Sequence, residues 1–434
     1  MEFTLRSFPK AILHIDGDSF FASCEVARNP SLRGRPVVTG QERGIASSMT
    51  YEAKRLGVTR GMKIHDIKKV CPEAVILPSD YETYGLYSQR MYDIVRKFTP
   101  AIDEYSIDEC FADLTGLRRS LRMPYSEMAR RIKHELDSSL GITFSVGLSV
   151  NKVLSKVASK WKKPSGLTII PGREITQFLK DLPVGKVWGI GPNTSNFLGK
   201  FGISTALDFA LRSEEWVEGN LSKPFQEIWR ELRGEFCFPL TFGEKHDYQS
   251  ISKTRTFTPP SSDRDFVFSQ LSKNIENACI KMRRHGLYTR EFFFYLKTQD
   301  FHHLGFEIKL QNSVCIPEVI IKSVGEQFER VYRKGVLYRA TGIVLMKLHS
   351  VDTQTLDLFG KLDKIQNITR VYDAVDRVAE RYGKHTIFLG SSFIAMKQEQ
   401  HKGERGFPTD RRKPLLLGET LRKHVNLPLL GSVK

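Results

Sequence analysis

Apolar spacing changes period repeatedly along the first 170 residues, and this alternation limits the possible folds more than any other feature. An apolar-rich strand is expected over Ala11–Asp16 and a helix over Ser19–Val26. Short strands follow at Pro36–Thr39 and Ala74–Leu77, with helical pieces at Thr50–Leu56 and Tyr81–Phe98. Ala101–Leu114 reads as two strands with a tight connection near Asp108. Tyr125–Leu140 reads as a helix and Thr143–Leu148 as a strand. Asn151–Trp161 is expected to be helical, since Val153, Leu154, Val157, Ala158 and Trp161 share a face. Strands and helices alternating in this way build an α/β or α+β sheet domain. Residues 173–235 then read as all helical, and 244–249 as a polar linker. Residues 250–348 return to mixed structure, with Arg264–His285 helical and Phe292–Leu296 and Gly342–Leu348 strand-like. Lys361–Tyr382 reads as an amphipathic helix with Ile365, Ile368, Tyr372, Val375 and Ala379 on one side. A chain of 434 residues has room for two to four such domains.

Charge narrows the partners. The 66 Lys and Arg against 49 Asp and Glu leave a net charge of +17, which favours a polyanion, nucleic acid before membrane. A large share lies in 250–350, where 16 basic residues face 9 acidic ones. No apolar run reaches the ~18 residues of a membrane span. The opening MEFTLRSFPK is broken by charge and proline, unlike a signal peptide. A reducing, cytoplasmic compartment is the default expectation. The six cysteines, Cys24, Cys71, Cys110, Cys237, Cys279 and Cys315, form no CxxC pair, so neither a zinc site nor a disulfide framework is expected.

Three carboxylates stand where a sheet edge can gather them. Asp16 closes the first strand, and Asp108 and Glu109 occupy the turn between two later strands. Three carboxylates at one edge can hold two Mg²⁺ ions, which clamp the attacking and leaving oxygens of an in-line displacement. Solvated turn residues would leave the same spacing. Asp18 is open between metal ligand, cap of the following helix, or both in turn.

At these residues the sequence resembles a known family. His14-Ile15-Asp16-Gly17-Asp18-Ser19-Phe20-Phe21-Ala22-Ser23-Cys24-Glu25 is similar to the opening motif of the Y-family, translesion DNA polymerases, and Tyr105-Ser106-Ile107-Asp108-Glu109 to their second catalytic motif. Tyr51-Glu52-Ala53-Lys54-Arg55-Leu56-Gly57-Val58 matches too, as does Gly147-Leu148-Ser149-Val150-Asn151-Lys152 followed by Lys163-Pro164-Ser165-Gly166. The order and spacing fit across about residues 10–350.

The resemblance implies an α+β multidomain right-hand polymerase. A ferredoxin-like palm would occupy 1–19 and 87–172, small fingers 20–86, and a helical helix-hairpin-helix thumb 173–243. After the 244–249 linker, an α+β little finger would fill 250–350. A clamp-binding peptide at 351–360, a helical segment at 361–396 and a basic flexible tail at 397–434 would follow. It further implies that Asp16, Asp108 and Glu109, with the carbonyl of Gly17, hold two Mg²⁺ for attack of a primer 3′-hydroxyl on the α-phosphate of a deoxynucleoside triphosphate. Tyr51 and Lys54, one helical turn apart, and Lys163 would bind the triphosphate, with Ser48 and the N–H groups of Ser19, Phe20 and Phe21. Lys54 stands where Arg is commoner, so its charge carries over better than a bidentate geometry. Phe21 would lie beneath the sugar and exclude a 2′-OH, leaving Phe20 to the core. Gly189 and Gly191 would bring the thumb backbone close to duplex phosphate. Lys253 and Arg255, alternating on one strand, would share a face and contact DNA phosphates. Gln354, Leu356, Leu358 and Phe359 resemble the peptide that binds the bacterial sliding clamp. The expected partners are primer-template DNA, deoxynucleoside triphosphates and that clamp, with the polymerase itself a monomer and no membrane involved.

Two other readings survive the motifs less well. A non-enzymatic scaffold subunit need not keep Asp16, Asp108 and Glu109 together, and a palm-fold nucleotide cyclase needs neither a duplex grip nor a charge of +17.

Overall fold

A computed structural model describes residues 7–242, 248–350, 361–382 and 385–397. Two compact units meet in sequence at residues 243 and 244. The expected clamp peptide, and all of the tail beyond Lys397, lie outside the described residues.

The N-terminal unit is centred on a five-stranded sheet. Ile12–Gly17 is its middle strand, flanked by Glu109–Asp113 and Phe144–Ser149; Ile102–Ser106 and Leu167–Ile169 form the edges. Ile12–Gly17 is buried along its whole length and pairs antiparallel to both neighbours, which is why an apolar run without alternation serves here. Helices Tyr81–Arg96 and Tyr125–Leu140 bury Met91, Val95, Met128, Ile132 and Leu136 in the core that holds Leu13, Ile15 and Val146. A three-stranded sheet of Ser48–Met49, Val37–Thr39 and Val75–Leu77 carries a small core of its own around Val38, Met49, Ala53 and Ile67. Helix Ile64–Val70, absent from the sequence reading, supplies Ile67.

The expected boundary at 172 is no gap in packing. Helix Lys152–Trp161 is capped by the Asn151 side chain on the Leu154 N–H and is buried from Lys152 to Ser159. Its residues Val153, Leu154 and Val157 share one core with Leu198, Phe209, Trp229 and Leu232 of the helical segment. Buried Glu231 accepts hydrogen bonds from the N–H groups of Val153, Cys237 and Phe238, each at 2.9 Å, so the final helix of that segment is bolted to the start of Lys152–Trp161.

The C-terminal unit has a five-stranded antiparallel sheet: four long strands in spatial order His303–Val314, Leu287–Thr298, Tyr338–Met346 and Ser250–Ser261, and the short His349–Ser350 paired to the start of Leu287–Thr298. Helices Arg264–Arg284 and Pro317–Val331 share a core with Phe292, Phe294, Leu296, Ile343 and Leu345 on one face of it. The helix Lys361–Tyr382 packs on this same core through Tyr372, Ile368 and Val375, and Asp376 pairs with Arg283 at 2.7 and 2.8 Å. Its partner is therefore its own module. The stretch 385–397 satisfies the polar side of Arg264–Arg284: Ser392 bonds Glu276 and Ser272, and the Ala395 N–H bonds Ser269. That explains how Ser269, Ser272 and Glu276 can be buried in the middle of a helix.

Lys253 and Arg255 share a face as expected, and it is the face that the helices cover. Their register partners Ile343 and Thr341 are fully buried, and the Thr341 hydroxyl accepts from Asn274 of the helix Arg264–Arg284. Both basic residues thus lie on the helix-covered side of the sheet, half-buried, while Ser252, Thr254 and Thr256 are exposed on the open side. Alternation fixes which residues go together and leaves open which side the helices take.

Candidate active site

Strand pairing builds the site. Asp16 lies directly opposite Glu109 across neighbouring strands, although 93 positions separate them in sequence. The turn that carries Asp108 is pinned beside them, because the Gly17 N–H donates to the Asp108 carbonyl at 2.8 Å. The Asp108 carboxylate accepts from the Ser106 hydroxyl at 2.7 Å. Asp16 and Glu109 are thus paired, with Asp108 one residue away on the same turn. Among the described residues no three Asp, Glu, His or Cys side chains converge as a complete metal cage.

Both paired carboxylates already carry a cation. Lys163 bonds Asp16, and Lys156 bonds Glu109 at 2.6 Å. Burial pushes Asp16 up to about 6, even though Lys163 beside it pulls the other way. Burial pushes Glu109 upward too; the Lys156 ammonium in hydrogen-bond contact outweighs it and holds this carboxyl well below the usual range. His14 is fully buried and brought down to about 4 by burial, so it is neutral at pH 7. Its Nδ1 meets Ser159 at 2.7 Å, while its Nε2 makes no hydrogen bond and lies 3.9 Å from Glu109. A buried acid above its ordinary pKa, two carboxylates in ammonium contact and an orphaned imidazole nitrogen describe a site that calls for positive charge. Two or three carboxylates suit a hard divalent cation that completes its shell with water and phosphate oxygens.

Asp18 is held by a dense set of hydrogen bonds. It is almost wholly buried and accepts hydrogen bonds from Ser145 (2.8 Å), Thr143 (3.1 Å), the Ser165 N–H (2.7 Å) and Tyr51 (3.4 Å). It caps no helix. Its role is that of a hub, tying the first strand, the Phe144–Ser149 strand and the Lys163–Ser165 loop to Tyr51. The loop places Lys163 3.8 Å from Asp18 as well as against Asp16.

The other expected nucleotide contacts gather around this hub. Ser19 stands in a left-handed backbone conformation (φ 49°) just before helix Phe20–Arg28. Its hydroxyl accepts from Lys54 at 2.9 Å, and its carbonyl accepts from Ser48 at 3.2 Å. Lys54 lies over the Tyr51 ring at 4.2 Å, and its pKa is lowered by burial and by Lys163. Phe20 is buried in the core, whereas Phe21 is half-buried and stacks on Tyr84 at 4.5 Å and 11°. A Cβ on Gly17 would fall 2.6 Å from the Phe20 ring, so the site admits no side chain there. Gly189 has φ 90° and backs onto Ile228, and Gly191 precedes the helix Pro192–Gly199 with open space above it.

Sequence reasoning missed one connection. Lys156 lies 4.7 Å from the Tyr105 ring and 5.2 Å from the Trp188 ring, and these rings meet edge to face at 5.5 Å. The cation on Glu109 is therefore boxed by an aromatic from the Gly189 hairpin. The i, i+4 spacing of Lys152 and Lys156 on a buried helix was the available signal, because lysines in a core imply acidic partners; Lys152 indeed pairs with Asp103 at 2.5 Å.

Family models match two stretches: impB/mucB/samB family over residues 15–160, and impB/mucB/samB family C-terminal domain over 248–358. A DNA polymerase IV from Brucella melitensis is 30% identical over 408 residues, covering 92% of this chain and 88% of the relative. One from Opitutus terrae is 34% identical over 296 residues, 67% of this chain and 74% of the relative. One from Desulfatibacillum aliphaticivorans is 29% identical over 379 residues, 87% of this chain and 95% of the relative. Among solved structures, a Y-family DNA polymerase chimera aligns with TM-score 0.67 at 25% identity, covering 78% of this chain and 99% of that one. The chain belongs to the impB/mucB/samB family and is a DNA polymerase IV-like member of the Y-family DNA polymerases. Polymerases of this family depend on a divalent metal.

Proposed function

We propose that this DNA-directed DNA polymerase extends a primer 3′ end on a template by two-metal-ion phosphoryl transfer, with low fidelity and across damaged template bases. The observation that carries the proposal is the register that sets Asp16 against Glu109 with Asp108 on the adjoining turn. Asp16, Asp108, Glu109 and the Gly17 carbonyl would hold two Mg²⁺ ions. These supply, when bound, neutralisation of phosphate charge and a lower pKa for the primer hydroxyl. The chain's own groups do the rest. Lys163 exchanges Asp16 for the triphosphate, and Lys54 and Tyr51 receive it from the other side. The N–H groups of Ser19, Phe20 and Phe21 lie at the start of a helix, where donors and dipole favour an anion. Phe21, stacked on Tyr84, is read as the residue that would exclude a 2′-OH.

The helix-hairpin-helix glycines Gly189 and Gly191 are assigned to duplex backbone, and Gln354, Leu356, Leu358 and Phe359 to a sliding clamp. We assign 1–19 and 87–172 to the palm, 20–86 to the fingers, 173–243 to the thumb and 250–350 to the little finger. The enzyme is read as a nucleoid-associated monomer of the cytoplasm. Primer extension tests the reading: a 5′-labelled primer on an undamaged and on an abasic template, with Mg²⁺ and all four deoxynucleotides, should lengthen on both. Purified protein that lengthens neither would refute it.

A further inference from the structure

Lys156 is only 5% exposed, a rare state for a lysine. Among the described residues its ammonium makes one hydrogen bond, to Glu109 Oε2 at 2.6 Å. Its other sides face rings: Tyr105 at 4.7 Å, from the strand Ile102–Ser106, and Trp188 at 5.2 Å, from the turn that carries Gly189. The orphaned Nε2 of His14 lies 3.9 Å from the same carboxylate oxygen. Both inward neighbours of Glu109 therefore sit on Oε2, and Oε1 is left for a cation.

The walls around Lys156 are themselves fixed. Trp188 meets Tyr105 edge to face at 88°, fully buried Phe111 at 6.0 Å and Phe238 at 5.9 Å. On either side of it in the chain, Val187 and Ile190 are buried in the helical core, and a Cβ on Gly189 would fall 2.5 Å from Ile228. A lysine that only had to neutralise Glu109 could reach it from solvent on a flexible stem. Buried and walled by rings, this one meets the carboxylate from a single direction, with cation–π attraction that strengthens where water is excluded. Outer contacts of this kind set the direction of a metal-ligating carboxylate. We propose that Lys156, boxed by Trp188, is a positioning residue of the polymerase reaction, turning Oε1 of Glu109 toward the divalent cation. This rests on the assignment of Glu109 to the metal site made above. Because Trp188 adjoins the hairpin assigned to duplex backbone, the box also ties the aim of Glu109 to the seat of that hairpin.

The test joins single-nucleotide insertion kinetics to tryptophan fluorescence. Fluorescence is read on the full chain with a dideoxy-terminated primer-template and the next deoxynucleotide, titrated with Mg²⁺, so that no chemistry occurs. Lys156→Met keeps the buried stem and removes the ammonium. It should lower the maximal insertion rate roughly a hundredfold. Its deoxynucleotide KM and DNA affinity should stay within about threefold of wild type. Trp188→Leu should lower the same rate roughly tenfold, and Trp188→Phe, which keeps a π-face, should restore most of it. Mg²⁺ should change the emission of wild type, and that change should vanish in Trp188→Phe, Lys156→Met and Glu109→Gln. A lysine that merely neutralised Glu109 would leave the rate of Lys156→Met near wild type and tighten Mg²⁺ binding; that result overturns the proposal. A Trp188→Leu enzyme as fast as wild type, or a Lys156→Met enzyme with the wild-type emission change, overturns it too. If Lys156→Met does not fold, Trp188→Leu and the wild-type titration decide. Glu109→Gln inactive beside a fully active Lys156→Met defeats this inference alone. Glu109→Gln that extends normally defeats the assignment of Glu109 to the metal.

Discussion

Asp16 is a residue held against its own preference. Burial raises its pKa from an ordinary 3.8 to about 6, so the folded protein binds a proton there that the unfolded chain has released. Metal-free stability therefore falls as pH rises from about 4 to 6 and stays reduced above that, by an amount of order 2–3 kcal/mol. Asp16→Asn mimics the protonated form. In metal-free buffer at pH 7.5 it should melt no lower than wild type, and ~2 °C or more higher, while losing primer extension; calorimetry showing a clear drop would contradict this. His14 acts with the opposite sign, since the unfolded chain takes a proton between about 6.5 and 4 that the buried ring refuses. Its stabilisation is full above that window and is lost as pH falls through it. Phe21→Ala removes the ring stacked on Tyr84 and should raise ribonucleotide incorporation at least tenfold relative to deoxyribonucleotide, read from single-nucleotide insertion rates. At this scale Asp16, Asp108, Glu109, Tyr51, Lys54 and Lys163 were legible because each sits in a local motif. Asp18 as a hub and Lys156 on Glu109 were not, because both depend on strands and helices more than 40 positions away.

Elements were legible where one face is buried and the period is clean. Tyr125–Leu140 has the expected bounds, and the helix at 361–382 has them too. Helix Arg264–Arg284 shows what pattern leaves out: polar Ser269, Ser272 and Glu276 are buried, because 385–397 covers them. Cutting the chain after residue 360 should strip that cover and the Arg283–Asp376 pair, lowering the melting temperature of the C-terminal unit by ~5 °C or more and opening it to limited proteolysis. Unchanged protease resistance would show the cover to be incidental. Glu231→Ala would orphan three N–H groups, of buried Val153 and of half-buried Cys237 and Phe238, at the join with Lys152–Trp161 and should cost about 2 kcal/mol by urea denaturation. The clamp peptide is argued by sequence only. Leu358→Ala with Phe359→Ala should abolish capture of a bacterial sliding clamp while leaving extension without the clamp intact.

For the whole molecule, the fold follows from one strand, Ile12–Gly17, which is central to its sheet, buried throughout and ends on a carboxylate. Around it the chain assembles cationic groups at one edge and a helical segment that reaches Glu109 through Trp188 and Lys156. The net charge of +17 supplies affinity for DNA that owes nothing to the three carboxylates, so binding and chemistry are separable. The most direct measurement is primer extension with Mg²⁺ by wild type and by Asp108→Ala, alongside DNA binding by both across a salt series. Wild type should extend, and the variant should lose at least a thousandfold in rate while binding DNA with the same affinity and salt slope. Extension by Asp108→Ala at near wild-type rate would contradict the assignment of these carboxylates to the chemistry.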